Sequence, residues 1–158
     1  MKDIYWIQPY YHLILDRVPR MAATFLDVGA GNGIFGFILK KTRECKQLDA
    51  IEPFNYELNH FDKVYRMTWK EWLNNPSNYD VIIATEVIEE CKRICRSKAF
   101  IYTPSEFKDN MDAVDNAWNL GSNPHQEHLC VLSRDDFKTR GYNTRLVIDN
   151  GIFAEYIK

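Results

Sequence analysis

Short apolar runs alternate with longer mixed stretches over the first hundred residues. Thr24-Phe25-Leu26-Asp27-Val28 reads as a buried strand, and Gly33 to about Glu44 as a helix whose Lys40, Lys41 and Arg43 suit its C-terminal end. Leu48-Asp49-Ala50-Ile51-Glu52 is a second strand, stopped by Pro53, and Lys63 to Met67 is a short third. Tyr79 to Ala84 is a fourth, followed by a helix from Glu86 to about Cys95. Ala99-Phe100-Ile101-Tyr102 is a fifth, broken at Pro104. Strand and helix in turn predict βαβ units and a parallel sheet covered on both faces. Ahead of them, Tyr10 to Met21 carries apolar residues at helical spacing, interrupted by Pro19. The chain therefore divides into an N-terminal helical segment, 1–21, and a single domain, 22–158.

The rhythm then changes. Ser133-Arg134-Asp135-Asp136 fits a capping box, and Gly141 stands where the short helix it opens would end. Two strand-like runs follow, Tyr142 to Ile148 and Ile152 to Ile157, separated by Asp149-Asn150-Gly151. Asn-Gly between such runs signals a tight hairpin, and two residues cannot carry a crossover, so the second run should be antiparallel to its neighbour. The expected fold is α/β: a Rossmann-like three-layer sandwich, mostly parallel, with one antiparallel C-terminal hairpin strand.

Composition narrows the function classes. Hydrophobic residues at 46% and charged residues at 27% exclude a disordered or fibrous chain. Twenty basic against 22 acidic residues, a net charge of −2, weigh against a protein that grips nucleic acid mainly through phosphates. No apolar run approaches the roughly 18 residues that would span a bilayer. Asp3 and Pro9 interrupt what would have to be a signal peptide, so a cytoplasmic protein without membrane partners is expected. Cys45, Cys91, Cys95 and Cys130 read as reduced thiols; with His125 and His128 they do not form a zinc-finger pattern, and no metal is expected.

The candidate chemistry begins at Asp27-Val28-Gly29-Ala30-Gly31-Asn32-Gly33, between the first strand and the first helix. Glycines there allow positive φ and let backbone N–H groups approach a ligand at the carboxyl edge of the sheet. From Gly31, the stretch to Gly36 is literally GxGxxG, the dinucleotide fingerprint. From Gly29 it is an acid followed by Gly-x-Gly-x-Gly, and this register fits better, because Val28 ends the strand and Ile34 stands where the dinucleotide pattern needs glycine. Asp27 would also repel a pyrophosphate, whereas a ligand bearing a sulfonium and an ammonium would be attracted.

In these residues the chain resembles the class I S-adenosylmethionine-dependent methyltransferases. Asp27 to Gly33 matches their first motif without a gap. Glu52, nineteen residues after Gly33, matches the acid that binds the ribose hydroxyls, with Pro53 beside it. Ala84-Thr85-Glu86-Val87-Ile88-Glu89-Glu90 is similar to the segment lying along the methionine part of the cofactor, and the terminal hairpin agrees with the family's seventh strand. The resemblance implies a seven-stranded sheet, S-adenosylmethionine as cofactor and S-adenosylhomocysteine as product. Asp27, Gly29, Ala30, Gly31, Asn32, Gly33, Glu52, Pro53, Thr68, Trp69 and Glu86 would then be cofactor-binding. Two departures matter: Met67-Thr68-Trp69 replaces the usual acid that reads the adenine amino group, and Glu90 replaces a common histidine. Trp69 is a candidate to stack on the base and Thr68 to hydrogen-bond it.

Methyl transfer from a sulfonium is an in-line displacement, so alignment and dryness can supply much of the rate, and a base is needed only if the acceptor must lose a proton. The family's acceptor region corresponds to Asn123 through His128, and His128 is the candidate base or orienting group, with Tyr102, Ser105 and Trp118 as candidate lining. Tyr5, Trp6, Tyr10 and Tyr11 form an aromatic cluster read as core, with a lid as the alternative. No Asn/Asp-Pro-Pro-aromatic run follows the fourth strand and no proline precedes a cysteine, which discounts DNA amino- and cytosine C5-methylation. A small molecule, a sugar or a protein side chain remains as acceptor, held in an open cleft or against a second copy of the chain. An NAD(P)-binding module and a catalytically degenerate binding protein are the alternatives.

Overall fold

The computed structural model describes residues 10–85, 95–103, 132–147 and 151–158. Seven strands form one sheet: β1 (Met21–Val28), β2 (Glu44–Ile51), β3 (Lys63–Tyr65), β4 (Tyr79–Thr85), β5 (Cys95–Thr103), β6 (Asn143–Leu146) and β7 (Ile152–Ile157). Their order is β3-β2-β1-β4-β5-β7-β6, parallel from β3 to β5, with β7 antiparallel to both neighbours. The expected mixed, Rossmann-like sheet is therefore present.

Burial explains the choice of strands. Phe25 to Val28, Val81 to Ala84 and Ala99 to Ile101 are buried on both faces of the sheet, so they form runs that are apolar throughout except at Asp27, rather than alternating ones. One face packs Leu26, Val28 and Ile82 against Trp72 and Phe137, which come from α3 (Trp69–Trp72) and α4 (Arg134–Thr139). The other packs Phe25, Ile83 and Phe100 against Ile14 of α1 (Tyr10–Leu15) and Phe35 and Leu39 of α2 (Ile34–Thr42). Tyr11 of the aromatic cluster is buried there, its ring 4.7 Å from Phe35, in the core role. Among the described residues no helix is long and apolar enough to cross a membrane.

Several boundaries differ from the pattern-based expectation. β2 and β5 begin four residues earlier than expected, through polar stretches that pair by backbone: Met21 opposes Glu44 and Tyr79 opposes Cys95. The β2 end is mostly exposed, and at β5 the buried Cys95 is followed by the polar Arg96-Ser97-Lys98, so hydrophobicity marks neither start. Residues 86–94 lie outside the described residues, but Cys95 opens β5 and so does not end a helix. Arg96 and Lys98 are strand residues, and Lys98 Nζ donates to the Arg17 carbonyl at 2.8 Å. Met21 opens β1 rather than closing the helical segment, α2 stops at Thr42, and β3 at Tyr65.

The capping box at Ser133 is present in both directions, and the helix ends as Gly141 allows. With φ 79°, Gly141 donates to Lys138 O at 2.8 Å and Tyr142 to Phe137 O at 3.0 Å, the two bonds of a Schellman motif. The rings of Phe137 and Tyr142 meet edge-on at 5.8 Å, supplying its apolar contact. The expected antiparallel hairpin is present: Leu146 pairs with Ile152, and Val147 N–H donates to Gly151 O at 2.9 Å, while 148–150 lie outside the described residues. Gly151 also meets a close neighbour: a Cβ there would stand 2.5 Å from the Tyr102 ring.

Candidate functional site

The loop leaving β1 turns through three glycines in the left-handed region, Gly29, Gly31 and Gly33, at φ 71°, 53° and 78°. Any other L-residue would be strained at these positions. Gly29 N–H donates to Ile51 O at 2.8 Å, which seats the loop on the end of β2. Gly33 is the N-cap of α2, and Asn32 Oδ1 accepts from Ile34 N–H at 3.2 Å. Gly31 differs from its neighbours in what covers it: no described atom lies within 4 Å of where its Cβ would stand. The space over Gly31 is open to a ligand that needs close contact with backbone.

Two carboxylates lie beside this loop. Glu52, one residue past β2 and 5% exposed, accepts from Gly31 N–H at 2.7 Å through one oxygen and from Phe54 N–H at 2.9 Å through the other. Asp27, on β1, is 1% exposed, and its Oδ2 is buried with no hydrogen-bond partner among the described residues. Burial, reinforced by the negative charge of Glu52, pushes the Asp27 carboxyl up to about 7. A buried carboxyl with an unpartnered oxygen beside a second acid favours a cation and disfavours a diphosphate. The carboxylate is not turned outward into water.

Beyond β3, Thr68 and Trp69 have tasks of their own. Thr68 caps α3 in a capping box: its hydroxyl donates to Glu71 Oε2 at 2.8 Å and accepts from Glu71 N–H at 3.3 Å. Its hydroxyl proton is therefore committed within the protein. The signal for this helix stands in the sequence as the capping box Thr68-Trp69-Lys70-Glu71. Trp69 is half-buried and stacks on Trp72, ring centres 5.4 Å apart, with its indole N–H buried and unpartnered among the described residues. Pro53 and Ala30 lie in the two loops that Glu52 joins. Glu86 and His128 lie outside the described residues, as do His125, Ser105, Trp118, Tyr5 and Trp6. Sequence reasoning missed Arg66, whose guanidinium donates to the carbonyls of Phe54 and Tyr56, both at 2.6 Å, and so fixes the loop that carries Glu52.

No family model and no curated protein matches this sequence. Solved structures do. A ribosomal protein L11 methylase from Lactobacillus delbrueckii subsp. bulgaricus superposes with a TM-score of 0.61 at 13% identity, covering 94% of this chain and 77% of its own. A precorrin-6y C5,15-methyltransferase from Geobacter metallireducens gives a TM-score of 0.61 at 12% identity over 100% of this chain and 92% of its own. A magnesium protoporphyrin IX methyltransferase from Synechocystis, solved with bound S-adenosylhomocysteine, gives 0.55 at 9% identity over 94% and 80%. The chain has the class I methyltransferase fold.

Proposed function

We propose that the glycine loop and the two acids beside it hold S-adenosylmethionine, and that the protein is a methyltransferase. The observation that carries this reading is the buried, unpartnered oxygen of Asp27 beside a loop whose middle glycine is uncovered. The cofactor, when bound, supplies a methyl group on a positively charged sulfur. The chain's own residues do the rest. Asp27, held near 7 without a counter-charge, ionises more readily when a cation lies beside it. Glu52, fixed by Gly31 N–H through one oxygen and by Phe54 N–H through the other, is the proposed acceptor for the ribose hydroxyls. Gly31 lets the ligand approach the backbone closely. Trp69 supplies an aromatic flank for the base, and Asn32, Gly29, Ala30, Gly33 and Pro53 shape the loops around it. Glu86 is proposed along the methionine part and His128 as the base or orienting group for the acceptor. A small molecule, a sugar or a protein side chain is the proposed acceptor.

Calorimetry against S-adenosylmethionine, S-adenosylhomocysteine and NAD tests cofactor choice: binding of the first two is expected, and tight NAD binding without them would overturn the reading. A labelled-methyl transfer screen on fractionated extract then identifies the acceptor class. Incorporation should disappear in Gly31→Arg, which fills the open space over the loop. Cofactor binding with no transfer to any fraction would favour a catalytically degenerate protein.

A further inference from the structure

The segment between β2 and β3 grips the glycine loop at a second point, well away from Glu52. His60 Nε2 lies 2.8 Å from Gly33 O. The same carbonyl accepts Phe37 N–H at 2.9 Å, the first turn of α2, so two donors orient its peptide plane. The other side of Gly33 is filled from the same segment: a Cβ there would stand 2.6 Å from Leu58 and 2.7 Å from the His60 ring. The segment is itself anchored. Asp62 bonds Lys40 Nζ at 2.7 Å and Leu48 N–H at 2.8 Å, and the buried Phe61 fills the space over Gly36. The His60 ring packs on Phe61 at 4.5 Å, and its burial lowers the imidazole pKa below the ordinary value. The ring is thus favoured as the neutral form, which donates one N–H.

We infer that His60 is a positioning residue for the cofactor loop, locking Gly33 in its left-handed conformation while Glu52, at the other end of the same segment, holds Gly31. The inference rests on the proposed function, because its benefit is a loop already in the binding conformation. A loop released from this brace spends part of its time in other conformations, and apparent affinity falls by the fraction lost. His60→Leu keeps the apolar volume and removes the donor; His60→Gln returns an amide N–H.

The test combines S-adenosylhomocysteine titration with amide hydrogen exchange on the full chain and both variants. His60→Leu should weaken binding by roughly three- to tenfold, the range of one neutral hydrogen bond. Exchange at the Gly31 and Gly33 amides should quicken, and His60→Gln should recover affinity to within about twofold. Equal affinity in the wild type and His60→Leu would overturn the inference, as would a His60→Gln as weak as His60→Leu, which would assign the effect to packing. If the wild type binds no S-adenosylhomocysteine, the proposed function fails. The brace then stands or falls on exchange alone, and unchanged protection at Gly33 in His60→Leu would remove it.

Discussion

Asp27→Asn gives the most direct measure of the charge stored beside the loop. The Asp27 carboxyl moves from an ordinary 3.8 to about 7 on folding, chiefly because burial disfavours the ionised form. A group raised in this way contributes stability that is complete below pH 4 and is lost as pH rises through 7. A difference of about three in pKa corresponds to about 4 kcal/mol across the whole range, of which about 3 kcal/mol falls between pH 5 and pH 8. Asparagine has nearly the same shape and does not titrate. Its own offset, from whatever its amide meets, is the same at both pH values and cancels. The repulsion between Asp27 and Glu52 is already contained in that shift. Urea denaturation of both proteins at pH 5 and pH 8, without ligand, should show the variant gaining about 3 kcal/mol relative to the wild type at the higher pH. Parallel pH dependence would mean that Asp27 ionises freely in the folded protein, and the electrostatic case for a cationic ligand would fall with it.

Tyr79→Phe removes the hydroxyl that donates to the buried Asp49 Oδ2 at 2.6 Å, while Asp49 Oδ1 already lacks a partner among the described residues. A loss of about 1–3 kcal/mol is expected by denaturant titration, with no change in nucleoside affinity. Gly36→Ala, usually stabilising inside a helix, should here cost about 1–3 kcal/mol by thermal unfolding, because the new Cβ would stand 2.2 Å from the Phe61 ring. Ser133→Ala breaks the capping box of α4 and should cost about 1 kcal/mol in the same assay. Glu52→Gln keeps an oxygen for Gly31 N–H but loses its charge; S-adenosylhomocysteine affinity should fall about tenfold or more, read by calorimetry.

The parts of the fold that the sequence disclosed are those buried on both sides. Phe25 to Val28, apart from Asp27, and Val81 to Ala84 have no polar face to disguise them, and the glycine loop joins two elements whose type was legible. Strand segments outside the core were hidden for the converse reason: Glu44 to Gln47 pair through backbone alone, and their side chains look like a loop. Asn150-Gly151 marked the hairpin correctly, but not the second demand on Gly151, the closeness of the Tyr102 ring. Asp27 was legible as a charge beside a glycine turn, and Glu52 only through the family resemblance, since it stands nineteen residues after Gly33. His60 was not: a histidine in a polar stretch gives no hint of the carbonyl it will meet across the fold.

The placement of β7 carries a consequence for assembly. It follows β6 along the chain yet lies inside the sheet, wedged between β5 and β6. Until it is laid in, the flank of β5 that includes Ala99, Phe100 and Ile101 is an uncapped apolar template, open to any extended segment that arrives first. A nascent chain must therefore shelter that flank while the two hairpin arms are made, and lesions in β7 should appear as deposits in the cell before they appear as lost turnover.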